Sequence, residues 1–320
     1  MNRLIAVCNA DYVTGVVKID RNYALDKVTE YHKSEGDTVV KYNPLEHWNT
    51  KFDQVYMSSI FTFTDKSVFN IDKNWICGGT GIDVKSKLPD YIENLRPKKN
   101  YGFCSRGCIR NCKFCVVRQK EGYIRADADI TDLWDGESKS VLLQDNNILA
   151  IPDHFIRICE QLKKYKIKVD FNQGLDIRLV DNDIAKALKG LSHEEYRFAF
   201  DSMAIENTVR SKIEILKKAG INRAGWYVIL GFDTTIEEDI YRMELLRSYG
   251  QRVFPMPYKK VTQDMPNGVI NNDNRPLYEA LENYGYDHAK FSKMDFLNGY
   301  LDSKRGKVYK KLFKEKGLVA

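Results

Sequence analysis

The sequence predicts an α/β protein with a small Rossmann-like unit over residues 1–95, a partial (β/α)6 TIM-type barrel over 96–260 and a helical extension over 261–320. Three observations carry this. Apolar runs of strand length alternate with stretches of helical period along most of the chain. About six strand–helix units begin near Tyr101, too few for a closed eight-fold barrel. The 320 residues suffice for two domains, or for one barrel with an appendage.

Leu4-Ile-Ala-Val7 reads as a short buried strand. Tyr23 to Ser34 has helical spacing, with Leu25, Val28 and Tyr31 on one face. Gly36-Asp37 turns the chain into a second strand, 38–42. Residues 54–61 and 75–81 are the third and fourth strands, the last ending in glycines. Strand, helix, strand, strand with short links predicts a parallel sheet. The Gly78–Gly81 run lacks the G-x-G-x-x-G form and is read as a wall facing a ligand cleft. Pro89 to Lys99 is charged, carries Pro89 and Pro97, and reads as a linker.

Beyond Tyr101 the alternation is regular. Strands are predicted at 140–144, 168–172, 196–200, 225–230 and 252–256. Helices are predicted at 152–165, 183–188 and 206–218, with Phe155, Ile158, Cys159 and Leu162 inward on the first and Val209, Ile213 and Leu216 inward on the third. Thr234 with Glu237 reads as a capping box for a further helix that Gly250 stops. Arg275 to Leu318 reads as helical.

No apolar run approaches 18 residues, so no membrane span is expected. The N-terminus has too short an apolar stretch for a secretory signal, and a cytoplasmic protein is expected. Seven cysteines, four of them crowded between 104 and 115, do not resemble a disulfide framework. Cys8, Cys77 and Cys159 read as small buried hydrophobes. The net charge is +6, with much of the excess at Lys304, Arg305, Lys307, Lys310, Lys311, Lys314 and Lys316. That tail is read as a solvated helix face, with contact to a nucleic-acid backbone as the alternative.

The chemistry lies in Cys108-Ile-Arg-Asn-Cys112-Lys-Phe-Cys115. Three thiolates can hold a cubane iron–sulfur cluster by three irons and leave the fourth open. Structural zinc more often uses C-x2-C pairs, and an electron-carrying cluster needs four ligands. The stretch Cys104-Ser-Arg-Gly-Cys108-Ile-Arg-Asn-Cys112-Lys-Phe-Cys115 resembles the radical S-adenosylmethionine (SAM) signature, C-x3-C-x2-C with an aromatic, Phe114, before the last cysteine. With Val116 to Gly122 it resembles members that carry an N-terminal cobalamin-binding-like domain. The resemblance covers residues 100–260, and the first 95 by architecture only.

The resemblance implies that Cys108, Cys112 and Cys115 ligate a [4Fe-4S] cluster and that SAM chelates its fourth iron. It implies reductive cleavage to a 5′-deoxyadenosyl radical that abstracts hydrogen from a substrate, with a flavodoxin- or ferredoxin-like reducing partner. It further implies SAM contacts at successive strand ends, by analogy with barrels whose ligands gather there. These are Gln144, Asp145 and Asn147 at the place that meets the SAM amino group; Gln173 and Arg178, the latter for a carboxylate or ribose; Asp201 and Ser202 for ribose hydroxyls; and Gly231, which would admit adenine. Cys104 lies outside the three-cysteine core and is read as a spare thiol.

No Asp-x-His occurs, so the histidine ligand motif for cobalamin is missing. Cobalamin is expected, if at all, only without histidine ligation. His32 is read as a surface residue. Methyl or methylthio transfer to nucleic acid or protein ranks above small-molecule chemistry. The competing class is a non-catalytic zinc or iron–sulfur protein that binds nucleic acid. No catalytic residue is assigned from sequence.

Overall fold

A four-stranded parallel sheet opens the chain in the computed structural model, which describes residues 2–319. Its strands are β1 (Leu4–Asn9), β2 (Thr38–Lys41), β3 (Gln54–Ser58) and β4 (Trp75–Gly78), in the order β2-β1-β3-β4. Helix α1 (Tyr23–Ser34) follows β1 over the predicted span, and the Asn22 side chain caps it by accepting from Leu25 N–H. Alternate residues of β1 face opposite ways, as the strand period requires. Val7 packs with Leu25 and Val28 of α1, whereas Ala6 and Cys8 pack with Phe52, Met57 and Phe69. One face is therefore covered by a helix and the other by aromatic loops.

Three expectations for this unit are corrected. Segment 89–99 is no free linker: it contains a helical turn, Asp90–Glu93, whose Ile92 is fully buried against α1. His32 is not on the surface. It is 2% exposed, with Nδ1 2.7 Å from the Asp37 carboxylate and Nε2 3.1 Å from the Tyr56 hydroxyl. The glycine run faces the chain itself. A Cβ on Gly79 would meet Ser59 O at 2.4 Å, and one on Gly81 would meet Phe61 O at 2.3 Å. These glycines let two backbone segments touch.

The rest of the chain carries six parallel strands: β5 (Tyr101–Gly102), β8 (Ser140–Leu143), β9 (Lys168–Phe171), β10 (Arg197–Ala199), β11 (Gly225–Leu230) and β12 (Arg252–Pro257). The short ribbon β6 (Ser105–Arg106) with β7 (Arg125–Ala126) lies between the first two. β5-β8-β9 and β10-β11-β12 form two sheets, and isolated parallel bridges at Val169–His193 and Leu175–Phe198 join them. The six strands thus neighbour one another in chain order. Helices α2 (Pro152–Tyr165), α3 (Asn182–Lys189), α4 (Glu206–Lys218) and α5 (Ile236–Ser248) return the chain between them. Proline starts α2, where its missing N–H costs nothing. The capping box of α5 is Thr235 with Glu238, one residue later than predicted. Thr234 instead donates its hydroxyl to buried Asp239 at 2.5 Å.

Helices α6 (Arg275–Tyr286) and α7 (Lys307–Glu315) make up most of the regular structure in the C-terminal extension. Tyr284, Phe296, Tyr300 and Phe313 are fully buried in the same apolar core as Phe171, Phe198 and Trp226, so the extension is built into the core beneath the six later strands. Lys307, Lys311 and Lys314 on α7 are exposed, as a solvated face requires. No helix among the described residues is long and apolar enough to cross a membrane.

Candidate metal and cofactor site

Because the six strands run parallel, all their C-terminal ends reach one edge, and the segments that follow them meet there. Residues 103–116 follow β5, 144–147 follow β8, 172–178 follow β9, 201–202 follow β10 and 231–233 follow β11. This brings to one edge the residues that the sequence suggested at separate strand ends.

The four clustered cysteines divide. Cys104 is 0% exposed inside the main core, and burial raises its thiol well above its ordinary range. Its carbonyl accepts from Asp127 N–H at 2.8 Å, and His154 Nε2 lies 2.8 Å away. Cys108 and Cys112 are half-buried and Cys115 is exposed on the loop beyond. Cys108 Sγ accepts from Arg110 N–H at 3.3 Å and from Asn147 Nδ2 at 3.4 Å. Burial raises the Cys112 thiol, and the nearby Arg178 guanidinium opposes that rise.

Asp176 holds this loop to the end of β9. Its side chain is 6% exposed and accepts from Arg110 Nε at 3.0 Å, Arg178 Nε at 2.5 Å and Nη2 at 3.0 Å, and Asn147 Nδ2 at 3.3 Å. Glu121 does the same at the other end. It accepts from Gly107 N–H and Asn146 Nδ2, both at 2.9 Å, and pairs with Arg106 at 3.2 Å. Sequence reasoning assigned neither residue a role. Asp176 stands two residues before Arg178 and caps the 177–179 turn, its side chain also accepting from Arg178 N–H at 3.2 Å.

The predicted contact residues are placed as follows. Asn147 is 3% exposed; its amide nitrogen faces two acceptors, the Cys108 sulfur and Asp176, which fixes the amide orientation and leaves Oδ1 buried without a partner. Asp145 serves the fold: it accepts from the N–H groups of Cys104 and Ser105 and from Ser105 Oγ, and burial raises its carboxyl to about 6. Gln144 is half-buried, and its N–H donates to Gly102 O at 2.8 Å. Gln173 is exposed. Arg178 is already committed to Asp176, with part of its surface open. Asp201 accepts from Ile229 N–H at 3.0 Å, and desolvation raises its carboxyl against the pull of Arg242 and Arg178. Ser202 is exposed, and its hydroxyl accepts from Ala204 N–H.

Gly231 does not open onto free space on its Cβ side. A Cβ there would meet Ile270 Cγ1 at 2.5 Å, so Ile270 and Tyr278 fill the side on which an adenine was expected. Its N–H donates to Asp239 at 2.8 Å. Behind it, fully buried Arg242 pairs with Asp239 at 2.5 Å and donates to the carbonyls of Phe200 and Ile229. That pair fixes the strand ends carrying Asp201 and Gly231. Phe114 lies edge-on to Phe232, ring centroids 5.4 Å apart, and Phe232 edge-on to Tyr258 at 4.7 Å.

Among the described residues no group of three His, Cys, Asp or Glu side chains converges tightly enough for a single metal ion. A cubane takes one thiolate per iron, so its ligands stand wider apart than those of one ion. Three partly open cysteines on one loop, N–H groups directed at Cys108 sulfur and an unpaired amide oxygen beside it fit such a group. No family model matches the chain, and no curated protein matches it either.

Proposed function

We propose that the protein is a radical SAM enzyme. Cys108, Cys112 and Cys115 would hold a [4Fe-4S] cluster at the C-terminal edge of a partial (β/α)6 barrel, with the Rossmann-like unit of residues 1–95 beside it. When bound, the cluster and SAM supply a 5′-deoxyadenosyl radical able to take a hydrogen atom from a substrate. The observation that carries the reading is Asn147. Its nitrogen is held by the Cys108 sulfur and Asp176, and its oxygen is buried and unpaired next to the cysteine loop.

The chain's own residues then have separable tasks. Asn147 Oδ1 would supply an acceptor for the ammonium of a bound methionine moiety. Arg178, oriented by Asp176, offers its remaining N–H groups to a carboxylate. Arg110 N–H and Asn147 Nδ2 donate to the Cys108 sulfur and fix its position on the loop. Electrons come from an external flavodoxin- or ferredoxin-like donor. Any corrinoid would bind without imidazole ligation, because His32 is enclosed by Asp37 and Tyr56.

Anaerobic reconstitution tests the reading. The expected result is a brown protein with four irons per chain that releases 5′-deoxyadenosine from SAM when reduced. Cys108→Ala, Cys112→Ala and Cys115→Ala should each lose the iron, and Cys104→Ala should keep it. A protein that takes up zinc and leaves SAM intact would instead be the non-catalytic nucleic-acid binder.

A further inference from the structure

A cavity of about 560 Å³ lies between the end of edge strand β12 and helix α6, outside the cysteine site. Tyr258, Tyr278 and Tyr286 supply its aromatic walls. Lys259, Lys260 and Arg275 are exposed on its rim, with Glu279 and half-buried Glu282 on the α6 side. None of these five charged side chains makes an ion pair among the described residues, although ion pairs are common elsewhere in the chain.

The same surface continues onto the N-terminal unit. Lys259 Nζ sits 5.7 Å from the ring centre of Phe63. Phe63 is 64% exposed and packs on Phe61, 36% exposed, with centroids 5.2 Å apart. The tract therefore sets Lys259 between the tyrosine-lined cavity, with exposed Tyr286 on its wall, and the exposed ring pair Phe63 and Phe61. From Tyr258 the rings of Phe232 and Phe114 lead to the residue beside Cys115.

We infer that this tract binds single-stranded nucleic acid, with one base in the tyrosine-lined cavity, the next stacked on Phe63 and phosphates on Lys259, Lys260 and Arg275. Every base has a π-face, so rings give sequence-tolerant stacking, and cations at intervals follow the backbone. The Glu282 carboxylate accepts from base N–H groups, which a uniformly basic groove would not offer. A peptide would use the rings but would not need the row of three unpaired cations. The inference deepens the proposed function, on which it rests for the chemistry performed, whereas the binding itself does not require the cluster.

The test is fluorescence anisotropy of the full-length protein with labelled 12-nucleotide RNA and DNA at several salt concentrations. Binding to at least one polymer is expected. Lys259→Glu with Lys260→Glu should weaken it at least ten-fold and flatten the salt slope by about 1.4, roughly 0.7 for each phosphate contact on a single strand. Phe63→Ala and Tyr286→Ala should weaken it about five- to a hundred-fold with the slope unchanged, since stacking releases no counterions. Both residues are surface-exposed, so these variants should fold, which circular dichroism checks. Lys304→Glu with Lys307→Glu on the C-terminal extension should change affinity less than two-fold. Cys108→Ala protein should bind as tightly as the parent, so loss of the cluster reading leaves this test intact. The inference is overturned by absence of binding, by equal loss in the C-terminal variant, by competition from free mononucleotides as effective per nucleotide as the strand, or by a peptide competitor displacing the label.

Discussion

Asp176→Asn removes the charge through which the strand end after β9 grips the cysteine loop. The carboxylate meets Arg110 and Arg178 in charge-assisted contacts and is itself nearly buried, while both guanidiniums are about one-third exposed. Such contacts are worth roughly 1.5–3 kcal/mol each in protected settings. Solvent at the arginines screens them, so about half that is the reasonable share, giving a net loss of about 1.5–3 kcal/mol. For 320 residues the unfolding entropy is about 0.7 kcal/mol/K, which converts this loss to a fall of roughly 2–4 °C in Tm if the chain melts as one unit. Thermal unfolding of Asp176→Asn, Arg110→Gln and the double variant, followed by circular dichroism, measures the effect. The expected coupling between the two sites is at least about 1 kcal/mol, since they share a direct bond. Iron uptake on anaerobic reconstitution should fall in parallel, because Arg110 lies between two of the proposed ligands. An unchanged Tm with zero coupling would refute the assignment of Asp176 as the tie between loop and sheet.

Arg242→Met should cost about 3–5 kcal/mol, because it leaves the buried Asp239 carboxylate without its counter-charge; adding Asp239→Leu should recover part of this, and urea denaturation of both variants checks it. Gly81→Ala should lower stability by about 1–3 kcal/mol, because its Cβ would strike the Phe61 carbonyl, and a thermal melt that matches the parent would show that the 59–61 segment gives way freely. Arg3 and His32 hold the Asp37 carboxyl well below the usual carboxylate range. Its contribution is therefore complete above the unfolded-state pKa of about 3.9 and is lost as pH falls through the folded value. Urea midpoints measured from pH 6 to pH 2 should drop on the acid side, and Asp37→Asn should flatten that limb.

Periodicity and end signals made the element order legible. Helices at Tyr23–Ser34, Pro152–Tyr165 and Glu206–Lys218 and the strand Gly225–Leu230 occupy the spans read from the sequence, because apolar spacing there matches a single period. The cysteine spacing likewise singled out the 104–115 loop as the place to look, since ligand chemistry depends on residue type and local separation. What local pattern could not supply was partnership. His32 looked like a surface residue because its helix is polar around it, and only the approach of β3 and the turn at Asp37 encloses it. Segment 89–99 had the composition of a linker, yet Ile92 seals one face of the first sheet. Gly231 ended a strand as a ligand-admitting glycine would, but Ile270, 39 residues later, returns to fill that side. Asp145 and Asn147 were indistinguishable as polar residues after a strand. Tertiary structure gave the first to the backbone of Cys104 and Ser105 and left the oxygen of the second unpaired beside Cys108. The sequence by itself determined which residues form strands, helices and the cysteine loop, because those preferences are local. Long-range packing decided which polar atoms are consumed by the fold and which stay open, because a buried donor or acceptor is satisfied by whatever part of the chain reaches it.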